Sequence, residues 1–150
     1  MNHVKIAVET LTPELMLESE PLQAEHWKEV ATFKNAIKLS VDTQKYIMAQ
    51  ERGKLMCLVA RDGKAMVGYA IFFIDGGMNY QDTLFGLCQV IYVLPRYRGL
   101  GALMIATAEN ELRILGVKKM IMRAKVDTTF PAKLEHLGFK PENIELVKML

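Results

Sequence analysis

The chain has 150 residues, 51% of them hydrophobic, which suits one compact core and leaves little room for a second. With 19 Lys and Arg against 17 Asp and Glu the formal charge is only +2, and no run of basic residues makes an electrostatic footprint for DNA or RNA, so nucleic acid is not expected as a main partner. Met1-Asn2-His3-Val4-Lys5 lacks the apolar core of a signal peptide and no apolar run reaches membrane-spanning length, so the expected place is the cytoplasm, with no membrane partner.

Val4–Val8 reads as a first strand. Pro13 opens a helical region, which Pro21 should divide in two. Asp42 is the N-cap of a helix through Tyr46, Ile47 and Met48 that ends near Gly53. Leu55–Arg61 and Met66–Ile74 are apolar, β-rich runs joined by Asp62-Gly63-Lys64, and the Asp-Gly pair predicts an antiparallel hairpin. After Gly76-Gly77-Met78-Asn79, the segment Thr83–Val93 carries the near-continuous apolar run Val90-Ile91-Tyr92-Val93 of a buried central strand. From Leu100, apolar residues at 103, 104, 108, 112 and 115 recur at helical spacing until Gly116. Lys119–Lys125 reads as a strand, Phe130–Leu137 as a short helix and Ile144–Met149 as a last strand. This order predicts a mixed α/β sheet in a single domain, 1–150, without repeats or long linkers.

The central strand meets the long helix through Leu94-Pro95-Arg96-Tyr97-Arg98-Gly99-Leu100-Gly101-Ala102. Glycines there let the backbone approach a ligand, and the helix that follows offers N–H groups and the positive end of its dipole, so an anion is expected at this turn. A P-loop is excluded because no Gly-x-x-x-x-Gly-Lys occurs, and a dinucleotide fingerprint because the third glycine and the acidic ribose binder are missing. Cys57 and Cys88 lie in apolar runs and read as reduced, buried thiols. His3, His26 and His136 have no ligand spacing, so no metal is implied.

Arg96-Tyr97-Arg98-Gly99-Leu100-Gly101 has the order arginine-or-glutamine, x, x, glycine, x, glycine-or-alanine, and Leu137-Gly138-Phe139 closes the short late helix. On these elements the two motifs resemble the GNAT superfamily of acyl-CoA-dependent N-acetyltransferases. Pro21-Leu22-Gln23-Ala24-Glu25-His26-Trp27 is similar to the opening of small phage- and prophage-encoded acetyltransferases. The resemblance implies a mostly antiparallel central sheet, with splayed parallel strands around a coenzyme A site and helices on both faces. It implies acetyl-CoA as co-substrate and the primary amine of a small molecule or protein as acceptor. Pantetheine would then run along Ile91, Tyr92 and Val93, where a backbone N–H near Val93 polarises the thioester carbonyl. The pyrophosphate would meet the N–H groups of Arg98, Gly99, Leu100, Gly101 and Ala102, with the Arg96 and Arg98 side chains at the rim. Edge strands of such sheets can pair across a two-fold axis, which makes a homodimer one expected assembly.

Two proton carriers depart from the family pattern. The superfamily often has a glutamate near the start of the central strand, where this chain has Phe85-Gly86-Leu87-Cys88-Gln89, and a tyrosine in the late helix, where it has Leu134. In their place, Glu25 and His26 are the candidate bases because they lie in the acceptor-side region. Tyr92 and Tyr97 are the candidate acids, and Tyr80 and Asp82, on the connection into the central strand, are candidate lining of the acceptor pocket. Two functions follow: an acetyl-CoA-dependent N-acetyltransferase working by direct attack of the amine, or a module of the same fold that binds acyl-CoA or a protein without transfer.

Overall fold

The computed structural model describes residues 3–150. In chain order it contains β1 (Val4–Val8), α1 (Pro13–Val30), α2 (Thr43–Glu51), β2 (Leu55–Asp62), β3 (Ala65–Asp75), β4 (Leu84–Val93), a 3₁₀ segment (Pro95–Leu100), α3 (Gly101–Ile114), β5 (Val117–Ile121) and α4 (Phe130–His136). The strands form one sheet in the order β1-β2-β3-β4-β5, antiparallel except for the parallel pair β4 and β5. Among the described residues no helix is long and apolar enough to cross a membrane.

Local chemistry explains most element ends. Thr12 caps α1 by accepting from the Leu15 N–H at 3.1 Å, with Pro13 in the first turn, where its missing N–H costs nothing. Asp42 caps α2 through the Lys45 N–H at 3.0 Å. At the β2–β3 hairpin Gly63 takes φ +60°, the left-handed turn geometry that an Asp-Gly pair supplies.

Three expectations need correction. Pro21 does not divide α1, which runs unbroken for 18 residues. Leu15 and Met16 before it and Leu22 after it are buried and hold one continuous helix face on the sheet. The carbonyl that loses its hydrogen bond belongs to exposed Leu17, where water can replace the partner. The strand expected at Lys119–Lys125 is instead Val117–Ile121, because pairing starts with Val117 opposite Leu84, directly after Gly116 ends the helical run. Ile144–Met149 forms no strand; Ile144, Leu146 and Val147 are 81, 89 and 71% exposed. The apolar pattern there has no partner strand, and the tail is tied by exposed ion pairs to β5 through Lys119–Glu142 and to the segment after β5 through Arg123–Glu145.

The sheet is covered on both faces. α3 packs Met104, Ala108 and Leu112 against Leu58, Phe72 and Cys88, while α1 packs Leu15, Met16 and Leu22 over Val59, Tyr69 and Tyr92 on the opposite face. Irregular pairing of β3 with β4, where Ile71 faces Val90 but Phe72 faces Cys88, leaves Gln89 as an extra residue. Side chains alternate along a strand, so this bulge reverses the phase: Cys88 faces α3, whereas Tyr92, four residues on, faces α1.

Candidate active site

The outer edge of β4 opens halfway along its length. β5 pairs with β4 only from Leu84 to Leu87, and beyond that point β4 continues to Val93 without it. The Leu94 N–H donates to Val67 O in β3 at 2.9 Å. By the alternation of an antiparallel ladder, Tyr92 then also turns its backbone groups to β3, while Ile91 and Val93 turn theirs to the open edge. There the Val93 carbonyl accepts from Arg98 Nε at 2.9 Å, and the N–H groups of Ile91 and Val93 and the Ile91 carbonyl face the space left by the divergence.

This edge leads into the glycine turn. Tyr97 anchors the turn to the β2–β3 hairpin by donating its hydroxyl to Asp62 Oδ2 at 2.6 Å, and its N–H bonds back to the Leu94 carbonyl at 2.8 Å. No side chain caps α3 and its first turn holds no acidic residue, the arrangement that suits an external anion at the positive end of the helix. The Gly101 N–H is engaged with the Arg98 carbonyl, and the i→i+3 bonds of the 3₁₀ segment engage N–H groups before it, so several of the five expected donors are shared with the fold. Gly101 has helical angles, φ −56° and ψ −46°, and a Cβ added to it would meet no atom within 4 Å.

On the α1 side of β4 four side chains converge. The His26 ring stacks on Tyr92 with centroids 4.8 Å apart and planes 20° from parallel. Tyr92 donates its hydroxyl to Glu29 Oε1 at 2.8 Å, Arg98 Nη2 donates to Glu29 Oε2 at 2.5 Å, and the Arg98 guanidinium lies 5.6 Å from the Tyr92 ring centre. Burial lowers the His26 pKa below its ordinary value, against an upward pull from Glu29, so its imidazole is neutral at pH 7 and able to take a proton. Burial and the bond to Glu29 raise the Tyr92 pKa and keep its hydroxyl protonated. Burial pulls Glu29 up, but the hydrogen bonds from Tyr92 and Arg98 outweigh it and leave the carboxyl below the usual range.

Of the residues expected at the site, His26, Tyr92 and Arg98 meet in this cluster. Glu25 lies outside it: one residue from His26 is about 100° around the helix, and Glu25 instead forms an exposed pair with Lys28 at 3.1 Å. Tyr80 packs on Phe85 at 5.5 Å, roughly 23 Å along β4 from Tyr92. Asp82 is exposed on the same connection, so neither approaches the cluster. Arg96 lies over the Tyr97 ring at 5.0 Å, exposed at the turn. Leu134 is buried in the core at the position expected for a tyrosine. Cys57 and Cys88 are buried, with thiols pushed up to about 12, far from a reactive thiolate. Glu29 was not among the expected residues; its one signal was the i,i+3 spacing from His26, which places both on one helix face. Cavities of about 230 Å³ beside Leu112 and Phe139 and about 280 Å³ beside Met16 and Val41 are lined by none of the four clustered side chains, so chemistry rather than volume marks this site.

Residues 18–139 match the profile described as the Acetyltransferase (GNAT) family. No curated protein matches the chain significantly. An aminoglycoside acetyltransferase, meta-AAC0020, from an uncultured soil metagenomic sample and in complex with sisomicin, superposes with a TM-score of 0.76 at 12% identity, over 99% of this chain and 97% of that one. Ribosomal-protein-alanine N-acetyltransferase from Brucella melitensis biovar Abortus 2308 gives 0.70 at 21% identity, over 98% and 99%. AAC(6')-Iy in complex with the bisubstrate analog CoA-S-monomethyl-acetylneamine gives 0.63 at 19%, over 99% of each chain. At such identities these likenesses speak for the fold alone.

Proposed function

The chain belongs to the acetyltransferase (GNAT) family, and from that premise we propose that it works as one domain that passes the acetyl group of acetyl-CoA to a primary amine by direct attack. The observation that supports this reading best is the open edge of β4 leading into a turn whose Gly101 meets no need of the fold. Glycine in a helix costs about 1 kcal/mol relative to alanine. With helical angles and open space around its Cα, Gly101 would be replaceable if only the fold were served, so its use lies in a ligand that comes close to the backbone.

In this reading Ile91 and Val93 offer the pantetheine amides their backbone groups, and one of their N–H groups polarises the thioester carbonyl as negative charge develops on its oxygen. The pyrophosphate lies at residues 98–102, against the uncapped first turn of α3 and beside Arg96. An alkylammonium with a pKa near ~10.4 must lose a proton before it attacks, and His26 accepts it. The amine nitrogen forms the new bond to the acetyl carbon and gives up its second proton to solvent, the carbon–sulfur bond breaks, and the thiolate takes a proton from Tyr92, which is replenished from solvent. The acceptor is a small-molecule or protein amine, and the two buried, unpaired cysteines fit a reducing compartment such as the cytoplasm.

The test is release of free thiol when the pure protein meets acetyl-CoA and a panel of amines. Amine-dependent release is expected, with a rate that declines toward acid through a limb below pH 6.5, because a depressed His26 must stay neutral to act; His26→Gln should abolish that limb. Binding of acetyl-CoA with no release for any amine would replace the enzyme by a binding module. No binding at all would overturn the cofactor site.

A further inference from the structure

Glu29 stands where helix formation argues against a carboxylate. It is the last residue but one of α1, close to the negative end of the helix dipole. A local preference overridden in this way points to a role beyond the helix itself. Its side chain reaches across to the sheet and divides its two oxygens: Oε1 takes the Tyr92 hydroxyl at 2.8 Å and Oε2 takes Arg98 Nη2 at 2.5 Å. Arg98 belongs to the turn that carries Gly99 and Gly101, while Tyr92 lies on the α1 face of β4 and His26, on α1, stacks over it. One carboxylate therefore joins the anion-binding turn to the proton-handling cluster.

The two ends of this link compete for Arg98. The Arg98–Glu29 pair is open to water, with side chains 52 and 36% exposed, and such pairs are held weakly. An anion at the turn offers the same guanidinium a stronger partner, because charged phosphate oxygens match its fork of donors. We propose that Glu29 is a positioning residue that couples the two substrates: occupation of the turn by a pyrophosphate draws Arg98 away, and the carboxylate left on Tyr92 then stabilises the imidazolium formed when His26 accepts the amine's proton. Before that event Arg98 neutralises Glu29 and itself opposes a proton on His26; after it, an unbalanced negative charge lies beside the Tyr92–His26 stack. The acceptor side thus becomes competent when the acetyl donor is in place. The coupling rests on the assignment of the turn to acetyl-CoA.

Glu29→Gln keeps the shape and the Tyr92 contact but removes the charge that holds Arg98. It should bind acetyl-CoA about two- to fivefold more tightly by calorimetry, the range expected for releasing an exposed ion pair. Its kcat for the amine should decline tenfold or more. A side chain that only supported the fold would weaken both together and lower the melting temperature. Glu29→Asp, too short to span Tyr92 and Arg98, should move both quantities in the same directions and serves if the glutamine variant folds poorly. In an Arg98→Met background, Glu29→Gln should leave acetyl-CoA affinity unchanged, since the competition is already gone. If the unaltered protein binds acetyl-CoA and both Glu29 variants bind it no more tightly, the coupling is wrong while the cofactor site stands. If the unaltered protein does not bind, both readings fall.

Discussion

Gly68 and Gly101 differ in what a methyl group would meet. A Cβ at Gly68 would lie 2.9 Å from the Tyr92 carbonyl oxygen, 3.2 Å from Val93 Cγ2 and 3.3 Å from Met104 Sδ, between β4 and α3. Gly68→Ala should therefore destabilise the protein by about 1–3 kcal/mol in urea unfolding, the usual cost of overpacking a filled site. A Cβ at Gly101 meets no atom within 4 Å and the residue has helical angles, so Gly101→Ala should leave unfolding unchanged or stabilise it by up to ~1 kcal/mol. Gly101→Leu should weaken acetyl-CoA binding more than tenfold, and unaltered binding would remove the ligand-based account of this glycine. The turn residues were legible from sequence because their chemistry is local: two arginines, two glycines and a helix start lie within six positions. Glu29 was not, because its meaning depends on Arg98, 69 residues away, and on which face of α1 meets the sheet. Glu25 shares the acceptor-side region with His26, but the helical period puts a residue three positions on, not the neighbour, on the same face.

Besides its apolar packing, α1 is tied to the sheet by charged side chains, Glu29 near its end and Arg61 nearer its start. Arg61, on β2, binds Glu9 through Nε at 2.7 Å and Nη2 at 2.9 Å, and Glu18 of α1 through Nη1 at 2.6 Å and Nη2 at 2.9 Å. The hydrogen bond from Arg61 holds the Glu18 carboxyl below its ordinary 4.5, against the opposing pull of burial. A carboxyl lowered in the folded state adds stability above its unfolded value and loses that contribution as pH falls through the folded one. Arg61→Met should thus cost about 1 kcal/mol at pH 7, a figure kept small because Glu18 is partly open to water. The gap should narrow as pH falls below 4.5 and close once Glu18 is protonated in the folded protein too; a gap in urea unfolding that does not narrow with falling pH would assign the loss to packing instead. The element ends marked by Thr12-Pro13, Asp42, Asp62-Gly63 and Gly116 were readable because a cap or turn needs only neighbouring residues. The passage of α1 through Pro21, the Gln89 bulge and the unpaired Ile144–Met149 tail were not. Each is decided by which surfaces and strand edges lie alongside, and a window of sequence carries no record of those.

Protection across the whole molecule should follow the number of partners each strand has. β3 lies between β2 and β4 with both faces covered, so the amides of β2 and β3 should exchange slowest. α2 has no buried residue, and residues 31–42 and 139–150 carry little hydrogen-bonded structure, so these should exchange fastest. β4 should behave as two strands at once beyond Leu87: Tyr92, turned to β3, slow, and Ile91 and Val93, turned to the open edge, fast despite lying in the same strand. Acetyl-CoA separates a direct contact from general stabilisation. At a concentration a hundred times its Kd, mass action adds about 2.7 kcal/mol to global stability, which slows about a hundredfold those amides that exchange only through complete unfolding. Ile91 and Val93 exchange without unfolding, so mass action alone leaves them fast, and they slow only when the ligand takes their N–H groups. Selective slowing of Ile91, Val93 and residues 98–102 would thus trace pantetheine and pyrophosphate along β4 and the turn. Slow exchange at Ile91 and Val93 before any ligand is added, or fast exchange there when the rest of the sheet has slowed, would put the cofactor on another path.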